Sequence, residues 1–476
     1  MAVRIFVSIT AWWEVGRKTD SVWLTAVSRQ LFNSPCPLLS FREIAMEDVL
    51  ARARKIADEA EVFTVISENT PIQFETNRLK HAQTHQSMTI ALRLIRNGRI
   101  GYATATGQDD LDKLVNMAAE TAEFGAQSRL EFPGLSEYPD IDVFDPEISN
   151  IRADKMAGLG EEMITALREH TPELLCDASV NKGITRIRIV NSRGGEKSYQ
   201  QTHFSLSISG TLIRGTDMLF VGDFDSSCHP VFETGVITSR VKQQLDWARE
   251  TISIRTGSLP VIFTPSGVAS SLVSPLMAAF NGKTVLDGAS PIGNKMEETI
   301  IDRRISLWDD PTIPFRPTSR PCDEEGVPSQ RTPLIEQGVV KNFLYDLQTA
   351  ALAGRRSTGN AGRGRGLPSP SPSAFVIGTG DTSFAQMVDD IKEGLVIEDL
   401  MGAEQGNILG GDFSGNVLLG YKVENGKIIG RVKNTMVSGN IYQLLNNITT
   451  IGSDARWVGG LYTPYLYFNS VSVASK

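Results

Sequence analysis

From Met46 onward the hydrophobic and polar positions follow two rhythms. The segment EDVLARARKIADEA, beginning at Glu47, repeats at helical spacing, with Val49, Ala53 and Ile56 on one face and charges opposite. EVFTVISE and PIQFETN follow as strand-like runs. SMTIALRLIRNGRIGYATATG reads as two strand arms around Asn97-Gly98, a dipeptide that accepts the positive φ angles of a type I′ turn. The spacing then predicts a helix from about Asp109 to Ala126, a Pro-spotted linker through FPGLSEYPDIDVFDPE, and a second helix from Ile151 to His170. Several strands are expected over 174–222, with turns at Asn181-Lys-Gly and Arg193-Gly-Gly, before TGVITSRVKQQLDWARET returns to helical spacing.

The second half opens with the apolar strand PVIFTP and continues into SGVASSLVSPLMAAFNG, a helix that Pro275 should kink. TPLIEQGVVKNFLYD and YKVENGKIIGRVK predict hairpins around Gln337-Gly338 and Asn425-Gly426, and AGRGRGLPSPSPSAF between them reads as a loop. Neighbouring strands pair instead of alternating strictly with helices. The pattern therefore predicts an α+β chain: an N-terminal mixed α/β domain with a hairpin-rich sheet over 46–230, and a C-terminal strand-rich, antiparallel β domain over 231–476. Residues 1–45 fit neither rhythm. Their apolar stretch from Ile5 to Trp13 runs into Glu14 and Arg17 without the small-residue cleavage site of a signal peptide, so a poorly ordered extension is expected, with Met46 a candidate natural start.

Composition narrows the function. Across 476 residues, 41% hydrophobic and 21% charged side chains are ordinary for a globular protein. No apolar run approaches the roughly 20 residues that span a bilayer, so a soluble protein without membrane association is expected. A formal charge of −8 gives nucleic-acid binding no global electrostatic support. Cys36, Cys176, Cys228 and Cys322 form no Cys-x-x-Cys pair, as expected of free thiols in a reducing, cytoplasmic setting.

His81 and His85, in HAQTH, have a metal-like spacing only on a helix. Their place before the Asn97-Gly98 turn is strand-like, where four residues span about 13 Å, too far to share one ion. No histidine follows His229, so the rest of the chain offers no His-based metal site or general base. The candidates there are carboxylates: Asp323, Glu324 and Glu325 in CDEEGVP, and Asp412 in GGDFSG. Such a run could hold a divalent cation or share a raised pKa, but a solvated turn or helix cap is the plainer reading. Arg355, Arg356, Arg363 and Arg365, interleaved with glycines, could cradle an anion or equally belong to an exposed loop.

The order of CDEEGVPSQRTPLIEQGVVKNFLYDLQTAALAGRRSTGNAGRG, GNILGGDFSGNVLLGYKVENGKIIG and VSGNIYQLLNNITTIGSD resembles the TldD/PmbA family, from about Met46 to the C-terminus. In that family the TldD branch carries a His-Glu-x-x-x-His metal motif on a helix of the C-terminal domain. The PmbA branch, also called TldE, lacks it and pairs with TldD in a heterodimeric metallopeptidase. The corresponding helix here, SGVASSLVSPLMAAF, has no histidine, glutamate or aspartate, so the resemblance is to PmbA/TldE. It implies a non-catalytic subunit of a cytosolic peptidase acting on small or unfolded peptides, with no cofactor of its own and a zinc-type metal in a TldD-like partner. The alternatives are an autonomous carboxylate- and metal-dependent peptidase using Asp323, Glu325 and Asp412, or a peptide-binding homodimer. The residues expected to line the substrate cavity are Asp323, Glu324, Glu325, Gly326, Arg356, Thr358, Gly359, Asn360, Arg363, Asp412 and Ser414.

Overall fold

The computed structural model describes residues 46–107, 110–364 and 366–475. The expected N-terminal extension, Cys36 and Arg365 lie outside the described residues.

Two sheets organise the chain. The first contains β1 (Glu59–Glu75), β2 (Arg78–Ala82), β3 (His85–Arg96), β4 (Arg99–Thr106), β5 (Leu175–Asn191), β6 (Glu196–Arg214) and β7 (Asp217–Ser227). Their order is β4-β3-β1-β5-β6-β7, with β2 beside β1, and every pairing is antiparallel. Even-numbered residues of β1, among them Ala60, Val62, Ile72 and Phe74, are buried on one face under the helices Met46–Ala53, Leu111–Ala122 and Ala153–His170. Glu61 and Phe63 point to the other face by the two-residue period of a strand. The Asn97-Gly98 turn forms as expected, with φ of 51° and 71° and Arg96 paired to Arg99.

Three local expectations are corrected. Ile56 does not continue the first helical face; the helix ends at Ala53 and Ile56 is 39% exposed in the turn that follows. The second helix is shorter than its pattern, running Leu111–Ala122, with Asp110 capping it by accepting from Lys113 N at 2.8 Å. Asn181-Lys-Gly is not a turn: β5 passes through it, paired with β1 and β6 on its two sides. Gly183 serves close approach there, because a Cβ would stand 2.3 Å from Asn69 Oδ1.

The second sheet contains β8 (Gly257–Phe263), β9 (Leu307–Asp309), β10 (Thr332–Glu336), β11 (Val339–Val340), β14 (Phe375–Ile377), β15 (Glu393–Met401), β16 (Asp412–Glu424), β17 (Lys427–Arg431), β18 (Thr435–Asn440), β19 (Thr450–Val458) and β20 (Leu461–Ser475), while β12 (Ala361–Gly362) and β13 (Ser369–Pro370) form a separate pair. It is antiparallel except where β14 runs parallel to β20 and β15 to β8. The hairpins at Gln337-Gly338 and Asn425-Gly426 form with both residues at positive φ. The helix expected around Pro275 breaks into Pro265–Ser271 and Val273–Ala279. Proline lacks the N–H that would reach the Ser271 carbonyl, and its ring crowds that turn.

Helix Thr234–Trp247 lies between the sheets. Ile237, Val241 and Leu245 join one core with β6 and β7 residues and with Ile262, Val396, Leu419 and Tyr421 of the second sheet. Trp247 meets Tyr421 edge-on at 5.2 Å and Phe384 at 5.8 Å, and such pairs add about 0.5–1.5 kcal/mol each beyond their burial. No helix among the described residues is long and apolar enough to cross a membrane.

Candidate functional site

The CDEEGVP segment is not a solvated turn. Asp323 and Glu325 are 1% and 0% exposed. Glu325 pairs with Arg93 of β3, Arg93 Nη2 donates to Glu61 Oε2 of β1 at 3.1 Å, and Glu61 also receives Arg363. Glu61 and Arg93 are register partners on neighbouring strands, so the first sheet presents them side by side to the loops of the second half. Asp323 Oδ1 accepts from the backbone N–H groups of Glu325 and Val327, each at 2.9 Å, and its Oδ2 accepts from Ala361 N at 3.0 Å. Glu325 Oε2 accepts from Leu347 N at 2.7 Å. Burial pushes both carboxyls up, against Arg320 and backbone donors at Asp323 and against Arg93 at Glu325. The cluster ties the first sheet to the C-terminal loops.

Of the residues expected to line a cavity, Asp323, Glu325, Asn360 and Arg363 are buried and hold protein partners in this chain. Asn360 Nδ2 donates to Asp309 Oδ2 at 2.6 Å. Half-buried Glu324 accepts from the Arg363 backbone N–H. Gly326 and Gly359 are turn residues at φ 78° and 74°, and Thr358 Oγ1 accepts from Tyr345 N at 2.8 Å. Arg356, Asp412 and Ser414 are exposed. Asp412 accepts from Asn440 Nδ2 at 2.8 Å on β18, and no hydrogen bond or ion pair among the described residues joins it to the buried cluster. Asp323, Glu325 and Asp412 do not converge as a metal-holding group among the described residues, so the reading in which they share a hard cation does not fit the geometry.

A cleft of about 850 Å³ lies elsewhere, between the end of β1, the start of β5 and the middle of β6 and β7 on one side and the helix Pro265–Ser271 with β15 and β16 on the other. The helix faces it with Ser266, Ala269 and Ser270. Thr264 caps the helix by accepting from Gly267 N at 3.2 Å, Pro265 fills its first turn, and Thr264 Oγ1 also donates to Glu398 Oε2 at 3.0 Å. Asp223 of β7 accepts from Arg240 at 2.9 Å and from Arg456 of β19 at 2.8 Å, and Arg456 Nη2 donates to Ser266 Oγ at 2.7 Å. One buried carboxylate thus fastens a strand, the central helix and the second sheet around the cleft. Burial raises the Glu398 carboxyl, opposed by Thr264 and Arg456 and reinforced by Asp223 and Asp399. Sequence reading singled out the helix but not Asp223, Glu398 or Arg456; consecutive Glu398-Asp399 in a strand pattern was the available signal.

His81 lies next to the end of β2 and His85 begins β3, both exposed and paired to different residues of β1. His170 bonds Asp246 at 3.1 Å, His229 bonds Asp145 at 2.6 Å and stacks on Phe315, and burial lowers the pKa of His203. Cys176, Cys228 and Cys322 are buried free thiols pushed upward by burial. Among the described residues no three His, Cys, Asp or Glu side chains converge as a metal site. The donor set among the described residues does not fit a zinc-type ion.

Residues 256–475 match the family model for the PmbA/TldA metallopeptidase C-terminal domain, and residues 60–122 match that for PmbA/TldA metallopeptidase domain 1. The chain belongs to the TldD/PmbA family. An uncharacterized protein of Methanocaldococcus jannaschii is 29% identical over 89% of this chain and 98% of that protein. Metalloprotease PmbA of Escherichia coli O157:H7 is 26% identical over 87% of this chain and 91% of its own length. The crystal structure of TldE from Thermococcus kodakarensis superposes with a TM-score of 0.82 at 23% identity, covering 90% of this chain and 100% of that one. The α+β fold with a strand-rich C-terminal part is thus the TldD/PmbA fold, in a metalloprotease-like family.

Proposed function

We propose that this chain is a PmbA/TldE-type subunit, itself without catalytic chemistry, of a cytoplasmic metallopeptidase that acts on small or unfolded peptides. A TldD-like partner would supply the zinc-type metal and the general base. The observation that carries this reading is the face of helix Pro265–Ser271 toward the cleft: Ser266, Ala269 and Ser270 line it. None of the three can activate water as a metal with a neighbouring carboxylate base does. The cleft would hold a length of peptide, and exposed Arg356, Asp412 and Ser414 are surface groups available to the partner or its substrate. Co-expression with a family member bearing His-Glu-x-x-x-His on its matching helix should yield a co-purifying pair that cleaves unfolded peptides, while this chain alone cleaves none. Failure of the two to associate, or metal-dependent turnover by the lone chain, would overturn the proposal.

A further inference from the structure

The walls of the cleft are charged in one sense only. Glu75 and Asp177 come from β1 and β5, Glu398 and Asp399 from β15, and Asp223 from β7, and no lysine, arginine or histidine is among the lining residues. Asp223 is already committed to Arg240 and Arg456. The other four are less engaged. Glu398 has Thr264 on one oxygen and feels the charge of Arg456, Asp177 accepts from Thr76 N at 2.7 Å on one oxygen, and among the described residues Glu75 has only the exposed Lys80 at 3.9 Å. The Asp399 side chain takes part in no hydrogen bond or ion pair among the described residues, although its backbone pairs with Leu419.

Backbone geometry builds this arrangement. Pairing of β15 with β16 passes from Ile397–Gly420 to Asp399–Leu419, leaving Glu398 as the extra residue of a bulge. In a regular strand two consecutive side chains point to opposite faces; a bulge re-aims one of them, and here both carboxylates line the cleft. Phe220 and Phe224, 41% and 39% exposed on the face of β7 opposite Asp223, add apolar surface to the lining with Leu418 and Val458. No three of the carboxylates converge as a metal site, which disfavours a single inorganic ion and suits a charge carried on a long stem. Lysine and arginine have that form: an aliphatic stem that covers apolar surface and a cationic head that reaches a carboxylate.

We infer that the cleft selects peptides carrying lysine or arginine side chains, their stems against Phe220 and Phe224 and their heads at the Glu398-Asp399 bulge. This rests on the reading of the cleft as a peptide site. Acidic segments would be repelled, since like charges brought together in a partly enclosed site cost binding.

Fluorescence anisotropy on the full chain, with three labelled peptides of one length and one apolar frame, tests it. The first carries two lysines, the second two acetyl-lysines, the third two glutamates. At low salt the lysine peptide should bind about tenfold tighter than its acetylated twin, with the glutamate peptide weakest, and the gap should shrink as salt rises. In the double variant E398Q/D399N, its fold checked by circular dichroism, the lysine preference should fall to near onefold. Equal binding of the lysine and acetyl-lysine peptides would overturn the charge inference and leave the peptide-site reading standing. A preference that survives the double variant would also overturn it, by moving the cation elsewhere. Binding of none of the three would overturn the peptide site itself.

Discussion

Glu61 is the hinge of the buried ion cluster, and removing its charge is the sharpest test of what holds the first sheet to the C-terminal loops. In Glu61→Gln the side chain keeps its shape but ceases to be an anion, so Arg93 and Arg363, 2% and 5% exposed, lose the carboxylate they share. Arg93 retains Glu325, whereas the guanidinium of Arg363 keeps the Glu324 carbonyl oxygen at 3.0 Å and the Phe63 ring at 4.8 Å, neither of which is an anion. Breaking a buried pair by neutralising one partner costs about 3–5 kcal/mol, because the remaining charge has no access to water. Urea unfolding followed by circular dichroism reads this: with a slope of about 3 kcal/mol/M, the midpoint should drop by roughly 1–1.7 M. Asp154→Asn, at a surface pair whose side chains are 71% and 47% exposed, is the control and should change stability by less than about 0.5 kcal/mol. If Glu61→Gln also falls within about 1 kcal/mol of wild type, the cluster does not join the two halves in the way proposed.

Asp309 supplies a pH test. Burial pushes its carboxyl up to about 6, against bonds from Asn360 and Ser373, so between about pH 6 and 4 the folded chain holds a proton that the unfolded chain has released. Its contribution to stability therefore grows as pH falls through that window: any advantage of Asp309→Asn at pH 7 should shrink by about 2–3 kcal/mol by pH 4, and a flat difference across thermal melts would refute the assignment. Gly267→Ala tests the seating of the cleft helix, since a Cβ there would stand 2.3 Å from the Ile397 carbonyl oxygen. A loss of about 1–3 kcal/mol by thermal unfolding is expected, and a stabilised variant, as helix propensity alone would give, would contradict the packing.

What could be read from sequence follows from how local the governing physics is. Asn97-Gly98, Gln337-Gly338 and Asn425-Gly426 were legible as turns because each requires two successive residues at positive φ, a demand written into the dipeptide itself. Asn181-Lys-Gly misled for the complementary reason. Gly183 answers to the side chain of Asn69 on a neighbouring strand, a contact that appears only when β1 and β5 pair. The acidic run at 323–325 was read as solvated because Arg93, its principal cation, lies 232 positions away from Glu325. An arginine within the apolar run SMTIALRLIR was the visible clue. A charge in a strand whose neighbours are all buried needs a counter-charge, and the run of carboxylates was the nearest unexplained supply.

The cleft shows how much more of the site depends on tertiary structure. That SGVASSLVSPLMAAF carries no histidine, glutamate or aspartate is a fact of composition, while the groups that shape the cleft around that helix were not legible. Glu398 and Asp399 share the cleft only through a bulge, and a bulge is a property of pairing between strands. Asp223 acquires its meaning from Arg240 on a helix and Arg456 on a strand of the other sheet. Burying an ion trio of this kind returns little net stability, because desolvation offsets the attraction. What the trio does supply is rigidity at the junction of β7, helix Thr234–Trp247 and β19, which fixes the cleft before any ligand arrives. A preformed cavity needs less ordering on binding, which is what the proposed peptide-holding role would require.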